Sequence, residues 1–295
     1  MKRYIGDGML LITAIVWGSG FVVTAIALEH LSAFQVMAGR FVLATIILSV
    51  LFGYKFKTFT KSVIWKGAVI GAILYIGFVL QTVGLEYTTP SKNAFLTAVN
   101  VIIVPLIGYF IYKRKIDRHE MLGSIIAVIG IGFLSLQGSF TINIGDALTL
   151  LCAIAFAFDI FYTNLFVQKE DALSLTIVQF ITASFLSVTV MFAIGDVPTS
   201  LGKEAILSII YLGIFSTTLA YVFQNIGHKY TTATRAAIIL STEALFGTIL
   251  SVLILKEVLT TKMIIGAILI MAAILIAELK PAFRRREALK KAGKI

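Results

Sequence analysis

The chain has 295 residues, of which 59% are hydrophobic and only 14% charged, with 25 Lys and Arg against 15 Asp and Glu. Its mean hydropathy of +0.98 excludes a soluble globular design, in which about a quarter of residues carry charge. A membrane helix takes ~20 apolar residues, so ten crossings use about 200 and leave roughly 95 for loops and ends, too few for a sizeable domain outside the bilayer.

In chain order, uncharged stretches run over residues 8–28, 67–85, 93–112, 121–145, 172–195, 205–227 and 263–277. Three more are each interrupted by a single charge: 31–54 by Arg40, 147–168 by Asp159 and 236–255 by Glu243. Lipid cannot satisfy an unpaired backbone amide, and no segment has the short alternation of a membrane barrel. The predicted fold is therefore all-α, a polytopic membrane protein of ten transmembrane helices. With Lys2 and Arg3 in the cytoplasm, threading these spans places 20 of the 25 cations inside. Only Lys92, Lys203, Lys256 and Lys262 fall outside, and Arg40 lies within a span. This asymmetry predicts a plasma-membrane protein with both termini cytoplasmic. It turns the net charge of +10 into a topology signal and argues against nucleic acid as a partner. The basic tail from about residue 280, ending at Lys294, reads as an anchor near anionic lipid. Lys2-Arg3 before an apolar run that ends near Ala25-Ile26-Ala27 also has the outline of a signal peptide. The repeat described next gives this helix a counterpart and argues for its retention.

Gly84-Leu85-Glu86-Tyr87-Thr88-Thr89 recurs as Gly227-His228-Lys229-Tyr230-Thr231-Thr232, an alignment that also pairs Gln81 with Gln224, Lys92 with Arg235 and Gly123 with Gly266. Ile5-Gly6-Asp7 likewise recurs as Ile144-Gly145-Asp146. The chain thus reads as two five-helix repeats, 1–140 and 141–295. Five is odd, so the second repeat must be inverted in the membrane, the arrangement from which alternating-access carriers are built.

Trp17-Gly18-Ser19-Gly20-Phe21, Arg40-Phe41, the two Gly…Tyr-Thr-Thr turns and Leu255-Lys256-Glu257 resemble the EamA-like branch of the drug/metabolite transporter superfamily. The resemblance spans nearly the whole chain and implies an exporter of amino acids, metabolites or drugs, with relatives that carry nucleotide sugars and sugar phosphates. Two positions depart from it. Ala244 follows Glu243 where the family often has proline, and the first-repeat counterpart of Glu257 is Arg114.

An ionisable group at mid-bilayer costs about 2.5–3.5 kcal/mol on insertion scales, so Arg40, Asp159 and Glu243 are the sharpest functional signals. They are expected to line a polar cavity, with Arg40 neutralising a carboxylate and Asp159 and Glu243 as candidate proton carriers. A fixed Arg–carboxylate pair that only specifies packing is the competing reading. Asn100, the repeat partner of Glu243, together with Trp17, Ser19, Tyr75, Tyr162 and Tyr221, completes the candidate substrate site. Phe21, Phe156 and Phe215 are further mid-span rings, suited to an organic solute with apolar parts or a cation over their π faces. Gln81 and Gln224 lie towards opposite ends of their helices and are candidate gates. Gly67 and Gly71 read as a close-packing pair.

Other chemistries lack their residues. Cys152 is alone, His30, His119 and His228 are scattered, and no metal site or cofactor is expected. Gly130-Ile131-Gly132 has no third glycine at dinucleotide spacing, and no phosphate-binding loop ends in Lys-Ser/Thr. The sequence therefore predicts a non-enzymatic secondary transporter of small organic solutes (amino acids, metabolites or drugs), an exporter working by alternating access with the proton as candidate coupling ion, as a monomer or homodimer in the lipid bilayer. An uncoupled facilitator or exchanger of sugar or nucleotide-type metabolites is the alternative. An intramembrane enzyme using Asp159 and Glu243 is the reading from another class.

Overall fold

The computed structural model describes residues 2–113, 117–135, 142–228, 230, 236 and 239–291, with the side chains of 2, 3, 112, 225, 228 and 278–291 left aside. Every regular element among these residues is helical. The first five spans are α1 (Lys2–Leu28), α2 (Ala33–Phe52), α3 (Lys61–Leu85), α4 and α5 (Pro90–Ala98 and Asn100–Tyr112), and α6 (Arg118–Ser135). The second five begin with α7 (Ile144–Phe166) and α8 (Ala172–Ala193). They continue with α9 and α10 (Lys203–Tyr211 and Ala220–His228), joined by a π-helical stretch (Leu212–Leu219), and α11 (Glu243–Leu250), extended by a π turn (Ser251–Leu255). The last is α12 (Thr261–Lys291). Among the described residues eight segments are long and apolar enough to cross a bilayer, and Ile239–Leu255 and Thr261–Ala277 are shorter apolar helices. The protein is thus a polytopic membrane protein of about ten helices.

Three expectations are corrected. The fourth span is two helices, broken at Val99, and Pro105 inside α5 supplies no N–H to the carbonyl four residues earlier. The eighth and ninth spans contain π-helical stretches that apolar periodicity does not reveal. The uncharged run 121–145 is not helical throughout, because Ile142 and Asn143 lie outside any helix and α7 begins only at Ile144.

Side-chain ties establish which loops share a face. Lys66 and Ser62 hold Glu170, and Lys55 holds Asp171, so the α2–α3 and α7–α8 loops lie together. Gly6 at the start of α1 touches Gly227 and Tyr230. We call this end, which carries the N-terminus, the near face. At the opposite, far face, Lys92 pairs with Asp146, Ser91 bonds to Glu257, and Ser32 and Gln35 bond to Asp196. The spans therefore alternate in direction, and the second five run opposite to the first.

The packing is reciprocal between the halves. The carbonyl of Gly145 approaches Gly84 as closely as that of Gly6 approaches Gly227, and Gly123 meets Ala273 while Gly266 meets Gly130. Lys113 and Lys256 end the fourth and ninth spans in the same left-handed conformation, φ 54° and 56°, each N–H reaching the carbonyl five residues back. Two large apolar cores result, one chiefly from α4, α5, α6, α11 and α12, the other chiefly from α2, α3, α8 and α9 with its π stretch, with α1 contributing to both and a smaller cluster between α3 and α8. Gly67 and Gly71 permit the close α3–α8 approach of the smaller one, since a Cβ there would lie 2.5 Å from Val178 Cβ and from the Gln179 carbonyl. The outward surface carries large apolar residues such as Val50, Phe110, Val128 and Ile268, a belt suited to lipid.

Candidate functional site

Between the two cores lies a cavity of about 750 Å³, within the range of small-molecule sites. Its wall reaches the near ends of the helices at Val167, Ala172 and Glu120, and at the other end includes Leu85 and Asn93, beneath the Lys92–Asp146 pair.

Local structure aims the polar groups. The π stretch adds a residue per turn, so that Ser216 and Thr217 both turn towards α2. Arg40 donates from Nε to Thr217 Oγ1 (3.1 Å) and from Nη2 to Ser216 Oγ (3.4 Å), with its guanidinium 4.4 Å from the Phe78 ring centroid. The Ser216 carbonyl accepts from Trp17 Nε1 at 3.0 Å, and Trp17 packs edge-on against Tyr221 at 5.4 Å. Asp159 accepts from Gln179 Nε2 at 2.9 Å. Glu243 stands at the first turn of α11, where Gly18 lets α1 come so close that a Cβ there would lie 2.7 Å from Gly247 N and 2.8 Å from the Glu243 carbonyl. Among the described residues no hydrogen bond or ion pair reaches the Glu243 carboxylate.

The structure brings together Trp17, Arg40, Gln81, Asn100, Asp159, Tyr221, Gln224 and Glu243 around this cavity, with Phe21 and Phe156. The expected Arg40–carboxylate pair is not formed: its donors go to two hydroxyls of the π stretch instead. Three candidates lie off the wall. Ser19 bonds to the Val16 carbonyl and the Tyr211 hydroxyl. Tyr75 is buried in the second core, and Tyr162 stacks among Phe158, Phe161 and Phe166. Phe215 is also off the wall, packed on Tyr211 and 41% exposed. Gln81 bonds to Thr97 rather than across to a closing face.

The sequence reading missed Asn93, Thr97, Gln179 and Ser216, which also line the wall. Neutral polar residues cost little in a span and carry no charge signal, although Gln179 is the repeat counterpart of Arg40. Asn93 donates both amide protons, to the Gln81 carbonyl (3.1 Å) and Thr149 Oγ1 (2.8 Å). Its buried Oδ1 has no partner. Among the described residues no cluster of His, Cys, Asp and Glu is arranged to hold a metal ion.

A multi-pass helical bundle that encloses a largely apolar cavity studded with polar and charged groups, between two similarly packed halves, is the build of a membrane transporter. The chain belongs to the EamA-like transporter family, whose pattern it matches twice, over residues 4–136 and 143–279. It is 34% identical to an uncharacterized transporter of Archaeoglobus fulgidus, over 95% of this chain and 88% of that protein. It is 25% identical to a probable amino-acid metabolite efflux pump of Salmonella typhimurium, over 92% and 94% of the two chains. A solved crystal structure superposes with a TM-score of 0.64 at 14% identity, covering 93% of this chain and 96% of that one, and supports the fold.

Proposed function

We propose that this transporter exports small organic solutes by alternating access, with repeats 1–140 and 141–295 rocking about the cavity. The observation that carries the reading is the cavity itself: bounded by both halves, lined by Asp159 and Glu243 in its middle, and reaching towards one face while the Lys92–Asp146 pair and the bonds from Ser91 to Glu257 hold the other. The positive-inside distribution supports a cytoplasmic near face, here proposed for the plasma membrane; in that orientation the cavity reaches towards the compartment from which an exporter loads. Amino acids and related metabolites are the first solutes to test, given the name of the Salmonella relative.

Glu243 and Asp159 are the groups proposed to exchange protons during the cycle, and Gln81 and Gln224 polar contacts that re-form as each side closes. Counterflow of labelled solute into proteoliposomes is the test of the carrier reading, with saturable exchange expected. Flux that rises linearly with concentration would point to a channel. Glu243→Gln with Asp159→Asn is expected to abolish the dependence of transport on a pH gradient. Unchanged pH dependence in both variants would eliminate the proton-carrier role of these carboxylates and leave them serving packing.

A further inference from the structure

The charged groups of the cavity differ in what they leave for a solute. Arg40 is 3% exposed, its Nε and one terminal nitrogen are bonded to Thr217 and Ser216, and its cationic face lies on Phe78. These bonds use two of its five N–H donors, and among the described residues no carboxylate is one of its partners. The acidic groups are in the opposite condition. Asp159 has one oxygen on Gln179, and Glu243 keeps both oxygens free on the wall.

Two neutral donors of the wall are spent within the protein, while the Thr163 hydroxyl, able to donate or accept, is unpaired there. Trp17 gives its only N–H to the Ser216 carbonyl, and Asn93 gives both of its own to backbone and Thr149. The orientation of the Asn93 amide is set by chemistry: the Gln81 carbonyl only accepts, and the Thr149 hydroxyl donates to the Gly145 carbonyl. The atom left over is an acceptor, Asn93 Oδ1, buried and unpaired, and such a group costs about 1–3 kcal/mol until a donor meets it. Asn100, Asn164 and Gln224 also line the cavity but offer donors and acceptors equally. They carry no sign.

We infer that the cavity recognises its solute through an ammonium group, and that the preferred class is a small primary amine with an apolar or aromatic body. This deepens the transporter reading above and rests on it. Glu120 lies at the near mouth, where it accepts from the Asp117 amide, and around the middle of the cavity Arg40, Asp159 and Glu243 when ionised sum to a net charge of −1. An ammonium neutralises it, a zwitterion leaves it, and a carboxylate doubles it, in a site where unpaired charge is costly. Glu243 takes the charge of the amine, and Trp17, Phe21 and Tyr221 face its apolar part.

Ligand-induced shifts in melting temperature of the purified protein test this with four probes that share one ring: phenethylamine, phenylalanine methyl ester, phenylalanine and phenylacetate. The amine and the ester are expected to stabilise the protein, phenylalanine less, and phenylacetate not at all. Glu243→Gln is expected to weaken phenethylamine binding by at least about tenfold, the loss of a charged hydrogen bond, and Glu243→Asp to restore most of it. The melting temperatures of the unliganded variants separate a binding defect from a folding defect. Stabilisation by phenylacetate equal to that by phenethylamine, unchanged amine binding in Glu243→Gln, or no shift with any probe would each overturn the inference. Counterflow with a solute other than an amine would at the same time keep the carrier reading standing, so the two fail separately.

Discussion

At the far end, two carboxylates from the second half of the chain grip one turn of the first, residues 88–92, whereas at the near end the cavity wall runs out to Val167, Ala172 and Glu120. Asp146 accepts from Thr88 and Lys92, and Glu257 accepts from the Ser91 amide and hydroxyl and from Ser251. Ser91 is in the first turn of α4, where an acceptor meets N–H groups that the helix itself cannot satisfy. The repeat maps Asp146 onto Asp7, but it maps Glu257 onto Arg114. The acidic clamp of the far end thus has only half a counterpart in sequence at the near end, and a structure closed at the far end is what this difference favours.

The largest effect is expected from removing the clamp. Asp146→Asn strands Lys92 beside a fully buried site and should cost the closed far face about 3 kcal/mol, the lower end for a broken buried pair because Lys92 keeps 16% exposure. Glu257→Gln should cost about 2 kcal/mol through weaker bonds from Ser91 and Ser251. Both are read with Leu85→Cys, at the far end of the cavity wall, in a Cys152→Ser background: a membrane-impermeant thiol reagent added on the far side should label the variants faster. Equal labelling would mean that these contacts do not hold the face shut. Exchanging the charges, Lys92→Asp with Asp146→Lys, should return labelling most of the way to its starting rate.

A second, smaller effect tests how the cavity is assembled. Gly18→Ala places a Cβ against α11 backbone. It should cost about 1–3 kcal/mol as overpacking, lowering the melting temperature and slowing exchange because Glu243 moves with α11. An unaltered melting temperature would show that α1 and α11 give way without cost.

The smallest effect is at the near face. The Lys66 ammonium and then the Ser62 hydroxyl hold the Glu170 carboxyl below the usual carboxylate range. A depressed pKa means that the tie stabilises the fold above the unfolded pKa and is lost as pH falls through the folded one. Melting temperature should therefore fall slightly more on acidification in the parent protein than in Glu170→Gln, a difference of a surface contact. Identical pH profiles would remove this tie from the account of the near face.

Much of the fold was legible because bilayer physics writes itself into composition. Gly6 and Gly145, aligned from sequence alone, each lie against the aligned partner of the other, Gly227 and Gly84. The site was legible only where a residue was too costly to be in lipid without a role: Arg40, Asp159 and Glu243 all line the cavity. Tyr75 and Tyr162 misled because their helices are apolar on every side, so that periodicity cannot separate the face towards a neighbour from the face towards lipid. Asn93 was missed for the converse reason, since an amide in a span has no charge to mark it, and its significance lies in which bonds its neighbours leave unmade.

Sequence by itself determined the number of apolar spans, their duplication and the family, because each is a one-dimensional pattern of hydropathy, charge and repeated residues. Which partner each charge takes was decided by tertiary structure alone. Arg40 is turned away from the carboxylates by a π stretch of α-helical sequence composition, and Glu243 is left open by the approach of a glycine in α1. Those outcomes depend on the rotation and close contact of helices far apart in the chain, which a pattern along one helix does not contain.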